Sequence, residues 1–328
     1  MKSALAAAGL LAVLVQVPST SSGQAPSTSS KQEERGVLAV LRRDGVLLPF
    51  AAFNGDNWTV SWPGDLRQRE LPINTEAVPD HWWGGRRPES WQAWLTDGRA
   101  QPLAVQTPIV FHNYCGTRLG LRTNYSPTEP PPPVAARPFP KDGLGVSGGV
   151  SVEAIDVVDR TSAEWSSLAT DLAREFDRVE DREVLGASMN AGWKHPLRPA
   201  QRKAIPIRLE SWYRVPIEET GGSASWIEAV RSYSPGPDDD GCGLETFFSG
   251  WIMREKPGAR PRAQLSARLM YCDRVGAHYM LPFGKMRLRN TWYWVYQVSG
   301  YDTEWYAVAQ VSRSRVRVVA EYLGGSCY

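Results

Sequence analysis

The chain has 328 residues, with 37 lysines and arginines against 35 aspartates and glutamates, and its formal net charge is +2. This balance gives no strong overall electrostatic field, so we expect no nucleic-acid partner. The chain contains 29 glycines, 25 prolines and 14 tryptophans, a composition typical of short aromatic strands joined by turns rather than of packed helices.

The N-terminus has the pattern of an export signal. An uninterrupted apolar run over residues 4–15 follows a lysine; it is too short to span a bilayer but matches the hydrophobic region of a secretory signal. Small residues favour cleavage after Ala25 or after Gly23. We therefore predict a signal peptide over residues 1–25, a flexible tether over 26–35, and a secreted or periplasmic mature protein with no transmembrane segment.

The next region, residues 36–125, is predicted to be rich in β-hairpins. Asp44-Gly45 and Asn54-Gly55 have the sequence of tight hairpin turns, and runs of β-branched and aromatic residues flank them. Residues 126–143 follow and contain four consecutive prolines. Because proline removes a backbone donor and fixes φ, this segment indicates either a linker between two domains or a long surface loop within one domain.

Residues 144–328 are predicted to form an antiparallel β domain with one packed helix. The helix covers about residues 162–179, since Thr161 and Glu164 fit a capping box and apolar side chains recur every three or four positions. From Ile205 onward, alternating apolar and polar residues between turns predict six to eight strands. Little helix separates these strands, so we expect antiparallel pairing. The predicted fold class is mainly β (α+β), with antiparallel sheets and one amphipathic helix.

The cysteines are Cys115, Cys242, Cys272 and Cys327. In an exported protein an even number of cysteines predicts disulfides, and three connectivities are open. We favour Cys242 with Cys272, because each lies beside a turn at the end of a strand-like run, which leaves Cys115 to pair with Cys327. No two cysteines have the C-x-x-C spacing of a zinc or redox site.

One short motif has the spacing of a hydrolase. Residues 145–149 fit the G-x-S-x-G pattern of a nucleophile elbow centred on Ser147. An elbow needs a strand before the serine and a helix after it, whereas here a proline-rich segment precedes Ser147 and a strand-like alternation follows. His195 and His278 lie downstream, but neither has a distinctive setting. We therefore predict no catalytic residue at this position.

Metal and cofactor sites have no clear sequence signature. Asp80 with His81, and His112 with Cys115, are weak candidate ligands. The run of aspartates at 238–240 lacks the alternating spacing of a calcium loop. We predict no metal ion and no cofactor.

Aromatic residues supply the candidate ligand-binding site. Trp82 and Trp83 lie in the tryptophan-rich first half, and Trp292 and Trp294 share one face of a C-terminal strand. Exposed aromatic rings stack on sugars and orient ligands. Tryptophans at strand spacing also build cores, so core packing is the alternative role for these residues.

The sequence favours a non-catalytic function: binding, or an envelope-associated or structural role, with a carbohydrate or a protein as partner. Whether the protein is an enzyme stays open. The enzymatic alternative is a carbohydrate-active hydrolase with an exposed tryptophan face and two carboxylates about 5–10 Å apart across a cleft. Glu210, Glu245 and Glu304 lie on or beside predicted strands, but the sequence pairs no two of them.

Overall fold

The protein is described here as a computed structural model. The described residues are 35–55, 57–64, 78–127, 141–218, 220–233, 243–271 and 274–327. Their strands form three sheets, which confirms the predicted mainly β (α+β) class. The predicted signal peptide, most of the predicted tether and residues 128–140 of the proline-rich segment lie outside the described residues.

The first sheet is built from the N-terminal region. Its strands are β1 (Gly36–Arg42), β2 (Val46–Phe53), β3 (Trp58–Thr59), β4 (Trp91–Leu95), β5 (Ala100–Leu103), β6 (Val105–Asn113), β7 (Gly116–Thr123) and β8 (Lys141–Val146). They are ordered β5-β4-β8-β1-β2-β7-β6, with β3 paired to β2. Strand β8 therefore lies in the middle of this sheet, and it begins at Lys141, inside the segment predicted to be a linker or loop. The predicted turn at Asp44-Gly45 joins β1 to β2, and Gly45 has a φ of +78°, a conformation that favours glycine.

Two five-stranded antiparallel sheets follow. The second sheet contains β10 (Asp156–Val157), β11 (Arg208–Ile217), β12 (Gly222–Ser232), β13 (Leu244–Arg254) and β14 (Arg262–Tyr271). The third sheet contains β9 (Val152–Glu153), β15 (Tyr279–Leu288), β16 (Thr291–Ser299), β17 (Thr303–Val311) and β18 (Val316–Ser326). The run from β11 to β18 comprises eight strands in the described residues, within the predicted six to eight.

The predicted single helix is two consecutive helices. The helices are α1 (Ala163–Asp171), α2 (Ala173–Ala191) and the short α3 (Pro199–Lys203), and a 3-10 helix spans Asp80–Trp83. The chain breaks regular helical geometry at Leu172, and α2 continues well beyond the predicted end at residue 179. The predicted cap at Thr161 is also wrong. Ser162 is the N-cap, and its Oγ accepts a hydrogen bond from the Trp165 backbone at 3.1 Å.

The third sheet lies between the first and second sheets. On β16, Tyr293 and Val295 belong to the core shared with the first sheet. Trp292, Trp294 and Tyr296 belong to the core shared with the second sheet. Successive residues of a strand point to opposite faces, so a strand that is buried on both sides is apolar along its whole length.

The helices cover the outer face of the second sheet. Leu168, Phe176 and Val179 of α1 and α2 pack against Trp212 and Phe248. The Phe176 and Phe248 rings meet edge to face with centroids 4.9 Å apart. The described residues thus form four layers, in the order first sheet, third sheet, second sheet and helices.

Candidate functional site

A cleft of about 940 Å³ lies at one end of the third sheet. The β14–β15 loop, the β16–β17 turn, the β6–β7 turn and the residue after β18 surround it. Two other cavities have volumes of about 270 and 240 Å³. Small-molecule sites usually occupy about 300–1,000 Å³, so the size of the cleft makes it the candidate site.

Strand β16 lines the cleft with Gln297 and Ser299. Antiparallel pairing places Leu281 opposite Gln297 and Tyr279 opposite Ser299. Gln297 is only 3 % exposed, and its Nε2 donates a hydrogen bond to Ser299 Oγ. Its Oε1 has no hydrogen-bond partner among the described residues. A buried acceptor without a donor costs about 1–3 kcal/mol, so Gln297 Oε1 favours a ligand that donates a hydrogen bond.

Arg274 lines the cleft from the β14–β15 loop, and all its guanidinium nitrogens have partners. Nη1 and Nη2 donate to the two carboxylate oxygens of Glu210 at 2.9 and 3.0 Å. Nε donates to Glu245 Oε2 at 3.0 Å, and Nη1 also donates to the Tyr279 hydroxyl at 2.9 Å. The hydrogen-bonded Glu210 carboxylate raises the pKa of Arg274 above its usual value. Arg274 is therefore held in place as a permanent cation.

The backbone at Arg274 is also unusual. Its φ is +56°, a left-handed conformation that few residues other than glycine adopt. Its backbone N–H donates to the Tyr271 carbonyl at 2.8 Å and its carbonyl accepts from Ala277 at 3.0 Å. Together with the two carboxylates, these hydrogen bonds stabilise the conformation of Arg274 that places it at the cleft.

Asp302 and Tyr301 lie at the rim of the cleft, in the β16–β17 turn. The Asp302 carbonyl accepts a hydrogen bond from the Cys327 backbone at 3.0 Å, which attaches the turn to the end of β18. Within the described residues, the Asp302 carboxylate has no hydrogen-bond donor. Tyr301 is 71 % exposed. The rim thus presents a carboxylate and an aromatic ring to an incoming ligand.

Glu228 of β12 ties the second sheet to the third beside the cleft. Its Oε1 accepts hydrogen bonds from the Met280 backbone at 2.6 Å and from Trp226 Nε1 at 3.1 Å. Its Oε2 accepts from the Ser211 hydroxyl at 2.5 Å. Burial raises the pKa of Glu228, and these hydrogen bonds act in the opposite direction. Both carboxylate oxygens are occupied, which indicates a structural role.

A disulfide forms another wall of the cleft. Cys115 and Cys327 are joined, with an S–S distance of 2.13 Å and Cα atoms 4.7 Å apart. The predicted pairing of these two cysteines is confirmed. Cys242 and Cys272 lie outside the described residues, so their pairing stays a prediction.

The tryptophans named as ligand-binding candidates are Trp82, Trp83, Trp292 and Trp294. The last three are 3 %, 7 % and 0 % exposed, and Trp294 meets the Trp251 ring edge to face at 4.9 Å. Trp82 is half-buried, with its ring 6.1 Å from that of Trp62. None of the four lines the cleft. Because Trp83, Trp292 and Trp294 are buried, they pack in the core, which was the alternative role for these residues.

Ser147 is held by the backbone of β1. Its Oγ accepts a hydrogen bond from the Val37 backbone at 3.0 Å and its own N–H donates to the Val37 carbonyl at 3.0 Å. The expectation that a proline-rich segment directly precedes Ser147 is wrong, because β8 ends at Val146, whereas the expected strand after it is present as the two-residue β9. No helix leads away from Ser147 to complete an elbow.

The two candidate histidines lie apart. His195 packs against Tyr233, with ring centroids 4.7 Å apart. His278 packs against Trp305 at 5.5 Å and lies beside Gly300 of the cleft. Burial lowers the pKa of both imidazoles. Within the described residues, no hydrogen bond joins His278 to a serine or a carboxylate, so no triad forms around it.

Of the three candidate carboxylates, the structure brings Glu210 and Glu245 together on Arg274 and buries Glu304 elsewhere.

Sequence reasoning missed Arg274, Gln297 and Asp302. The Gly-Tyr-Asp turn between two strongly apolar strands was the available signal for Asp302. No local pattern marked the other two residues.

The described residues contain neither a cluster that could hold a metal ion nor a helix that could span a membrane. No group of three or more histidine, cysteine, aspartate or glutamate side chains could hold a metal ion in this part of the chain. No helix within it has both the length and the apolar character needed to cross a bilayer. The aspartates at 238–240 lie outside the described residues.

Comparisons of the chain with models of known families, with curated proteins and with solved structures give no match.

Proposed function

We propose that this protein is an exported, non-catalytic binding protein that takes a small organic ligand into the cleft beside Gln297. The observation that carries the proposal is a buried amide oxygen without a partner on the wall of a cleft of about 940 Å³. The same cleft has an apolar and aromatic lining that includes Met280, Leu281 and Tyr279. Apolar walls with a few placed polar groups are typical of small-molecule sites.

Two observations support export. The apolar run near the N-terminus has the length of a secretory signal. The Cys115–Cys327 disulfide is a bond that persists in oxidising compartments and is rare in the cytosol. Both features fit a secreted or periplasmic protein.

The carboxylates beside the cleft favour binding over hydrolysis. A glycosidase needs two carboxylates on opposite sides of the scissile bond. Glu210 and Glu245 instead hold one guanidinium, that of Arg274, and the oxygens of Glu228 accept hydrogen bonds from protein groups. A carbohydrate is compatible with this cleft as a ligand class. Among the described residues the lining contains no tryptophan, so it does not offer the exposed indole face that the hydrolase alternative needs.

Titration with Nile red, a neutral dye that fluoresces in apolar sites, tests this function. Ser299→Trp places an indole in the cleft, and the matched control Ser167→Trp places one on the exposed face of α1. We expect saturable binding to the wild type and to Ser167→Trp, and at least about tenfold weaker binding to Ser299→Trp. Equal binding to both variants, or no binding to the wild type, would reject the cleft as the site.

A further inference from the structure

We propose that the ligand of this cleft is an organic cation, with an ammonium group that reaches Gln297 and Asp302 and an apolar or aromatic body that lies against the tyrosines. This inference rests on the proposed binding function and names its ligand class. Four features carry it: the occupied guanidinium of Arg274, the acceptors on the lining that lack a donor among the described residues, the local charge and the aromatic lining.

The cation on the lining is already neutralised. Every guanidinium nitrogen of Arg274 donates to Glu210, Glu245 or Tyr279. Four of its five N–H groups are used and two carboxylates balance its charge, so an anionic ligand could take two hydrogen bonds from Arg274 only by displacing one of these partners. Buried or half-buried ion pairs that lose one member are strongly destabilised, so the cluster disfavours a carboxylate or phosphate ligand.

Two acceptors of the lining receive no hydrogen bond from the described residues, whereas the lining hydroxyls of Ser299 and Tyr279 can donate as well as accept. Gln297 Oε1 is buried and has no donor among the described residues. The Asp302 carboxylate, at the rim, has none in that part of the chain either. Ser299 Oγ already accepts the Gln297 N–H. A ligand that satisfies Gln297 and Asp302 must donate hydrogen bonds, and an ammonium group brings three donors and no acceptor.

The charges around the cleft also favour a cationic ligand. Arg274 and Arg208 are paired with Glu210 and Glu245, and Asp302 adds a further carboxylate. No ion pair joins Asp302 to a cation among the described residues, so its negative charge can attract a ligand. Opposite charge attracts a ligand more strongly in a partly enclosed site than in water.

The aromatic lining suits the body of such a ligand. Tyr114, Tyr279 and Tyr301 all line the cleft. Aromatic faces attract cations, and the attraction is stronger where the site excludes water. The tyrosine rings therefore favour a cation over a neutral compound of the same shape.

Displacement of Nile red by three compounds with one phenyl body tests the ligand class. At pH 7, 2-phenylethylamine carries an ammonium group, 2-phenylethanol a hydroxyl group and phenylacetate a carboxylate. We expect the amine to displace the dye at a concentration about tenfold lower than the alcohol, with phenylacetate the weakest, because charge-assisted hydrogen bonds are about twice as strong as neutral ones.

Asp302→Asn should reduce the amine's advantage over the alcohol to about twofold, and Gln297→Leu should also weaken the binding of the amine. Asp156→Asn, an exposed carboxylate outside the lining, should leave the advantage unchanged.

The outcomes separate the two proposals. Dye binding with equal displacement by amine and carboxylate would overturn the cation class and leave the binding function in place. Tighter binding of phenylacetate would overturn it too, since Gln297 would then present its amide N–H groups to the cleft. Absence of dye binding would remove the binding function itself.

Discussion

Lys141 Nζ lies 3.1 Å from Glu304 Oε2, with side chains that are 1 % and 0 % exposed. The pair joins β8 of the first sheet to β17 of the third. Asn113 donates to Glu304 Oε1 at 2.6 Å and the Tyr306 hydroxyl donates to the same oxygen. Burial lowers the pKa of Lys141 and raises that of Tyr306. Because Asn113 precedes the cleft residue Tyr114, this network supports one wall of the cleft.

We predict that Glu304→Gln destabilises the protein by about 3–5 kcal/mol, because it removes the carboxylate that lies against the buried Lys141 ammonium. The measurement is the free energy of unfolding in urea with the disulfide intact. The double variant Lys141→Met/Glu304→Gln should recover part of the loss, since no uncompensated charge remains.

An exposed ion pair provides the control. Arg86 and Glu89 are 78 % and 77 % exposed, and Glu89→Gln should change the free energy of unfolding by less than about 1 kcal/mol. If Glu304→Gln had an effect as small as this, the buried pair would not fasten the two sheets.

Glu228 gives a pH-dependent prediction. Burial raises its pKa above the ordinary value of 4.5, so the folded state holds this proton more tightly than the unfolded state. The resulting stabilisation is present below the unfolded pKa and is lost as the pH rises through the folded pKa. Glu228→Gln removes this loss, because the amide stays neutral and still accepts from the Met280 backbone.

We therefore expect Glu228→Gln to gain stability relative to the wild type when urea unfolding is measured at pH 8 rather than at pH 5. Glu89→Gln, which changes an exposed carboxylate, should show no such trend. A relative loss of stability at pH 8 would mean that the ionised Glu228 carboxylate is favoured in the fold.

The disulfide links residues 212 positions apart. Its removal in Cys115→Ser/Cys327→Ser should lower the free energy of unfolding by about 2–5 kcal/mol, because a long loop is no longer closed in the unfolded state. Peptide mapping without reductant should recover Cys115 and Cys327 in one linked fragment, and it also tests the predicted Cys242–Cys272 pair. Recovery of Cys115 linked to any other cysteine would contradict the structure.

Ser147 should not react with a fluorophosphonate probe, since its hydroxyl is buried against the Val37 backbone. Ser147→Ala should cost about 1 kcal/mol through the lost hydrogen bond, whereas the exposed Ser151→Ala should have little effect. Stoichiometric labelling that Ser147→Ala abolishes would instead support a hydrolase.

Much of the fold follows from local patterns in the sequence. Alternation and turn residues located the strands from β11 to β18, because each strand has a short-range signature. The unbroken apolar run of β16 reflects burial on both faces, but such a run does not reveal which sheets cover it. The sequence also could not show that β8 returns to the first sheet, since strand order depends on contacts between distant residues.

The candidate site was far less accessible to sequence reasoning. Gln297, Arg274 and Asp302 lie on two loops and a strand end, and only the folded chain brings them together. Trp294 was a candidate because of its residue type, yet its position on the inner face of β16 buries it completely. Burial thus distinguishes Trp294 from the exposed cleft residue Tyr301, and burial is a property of the tertiary structure.

The most direct test of ligand binding in the cleft is the response of the Gln297 side-chain amide in a ¹H–¹⁵N TROSY spectrum, assigned with Gln297→Leu, during titration with 2-phenylethylamine. Occupation of the cleft predicts a saturable shift of this resonance, together with shifts of the Ser299, Gly300 and Asp302 backbone amides. A titration that leaves the Gln297 amide unmoved, or that shifts only resonances outside the cleft lining, would contradict it.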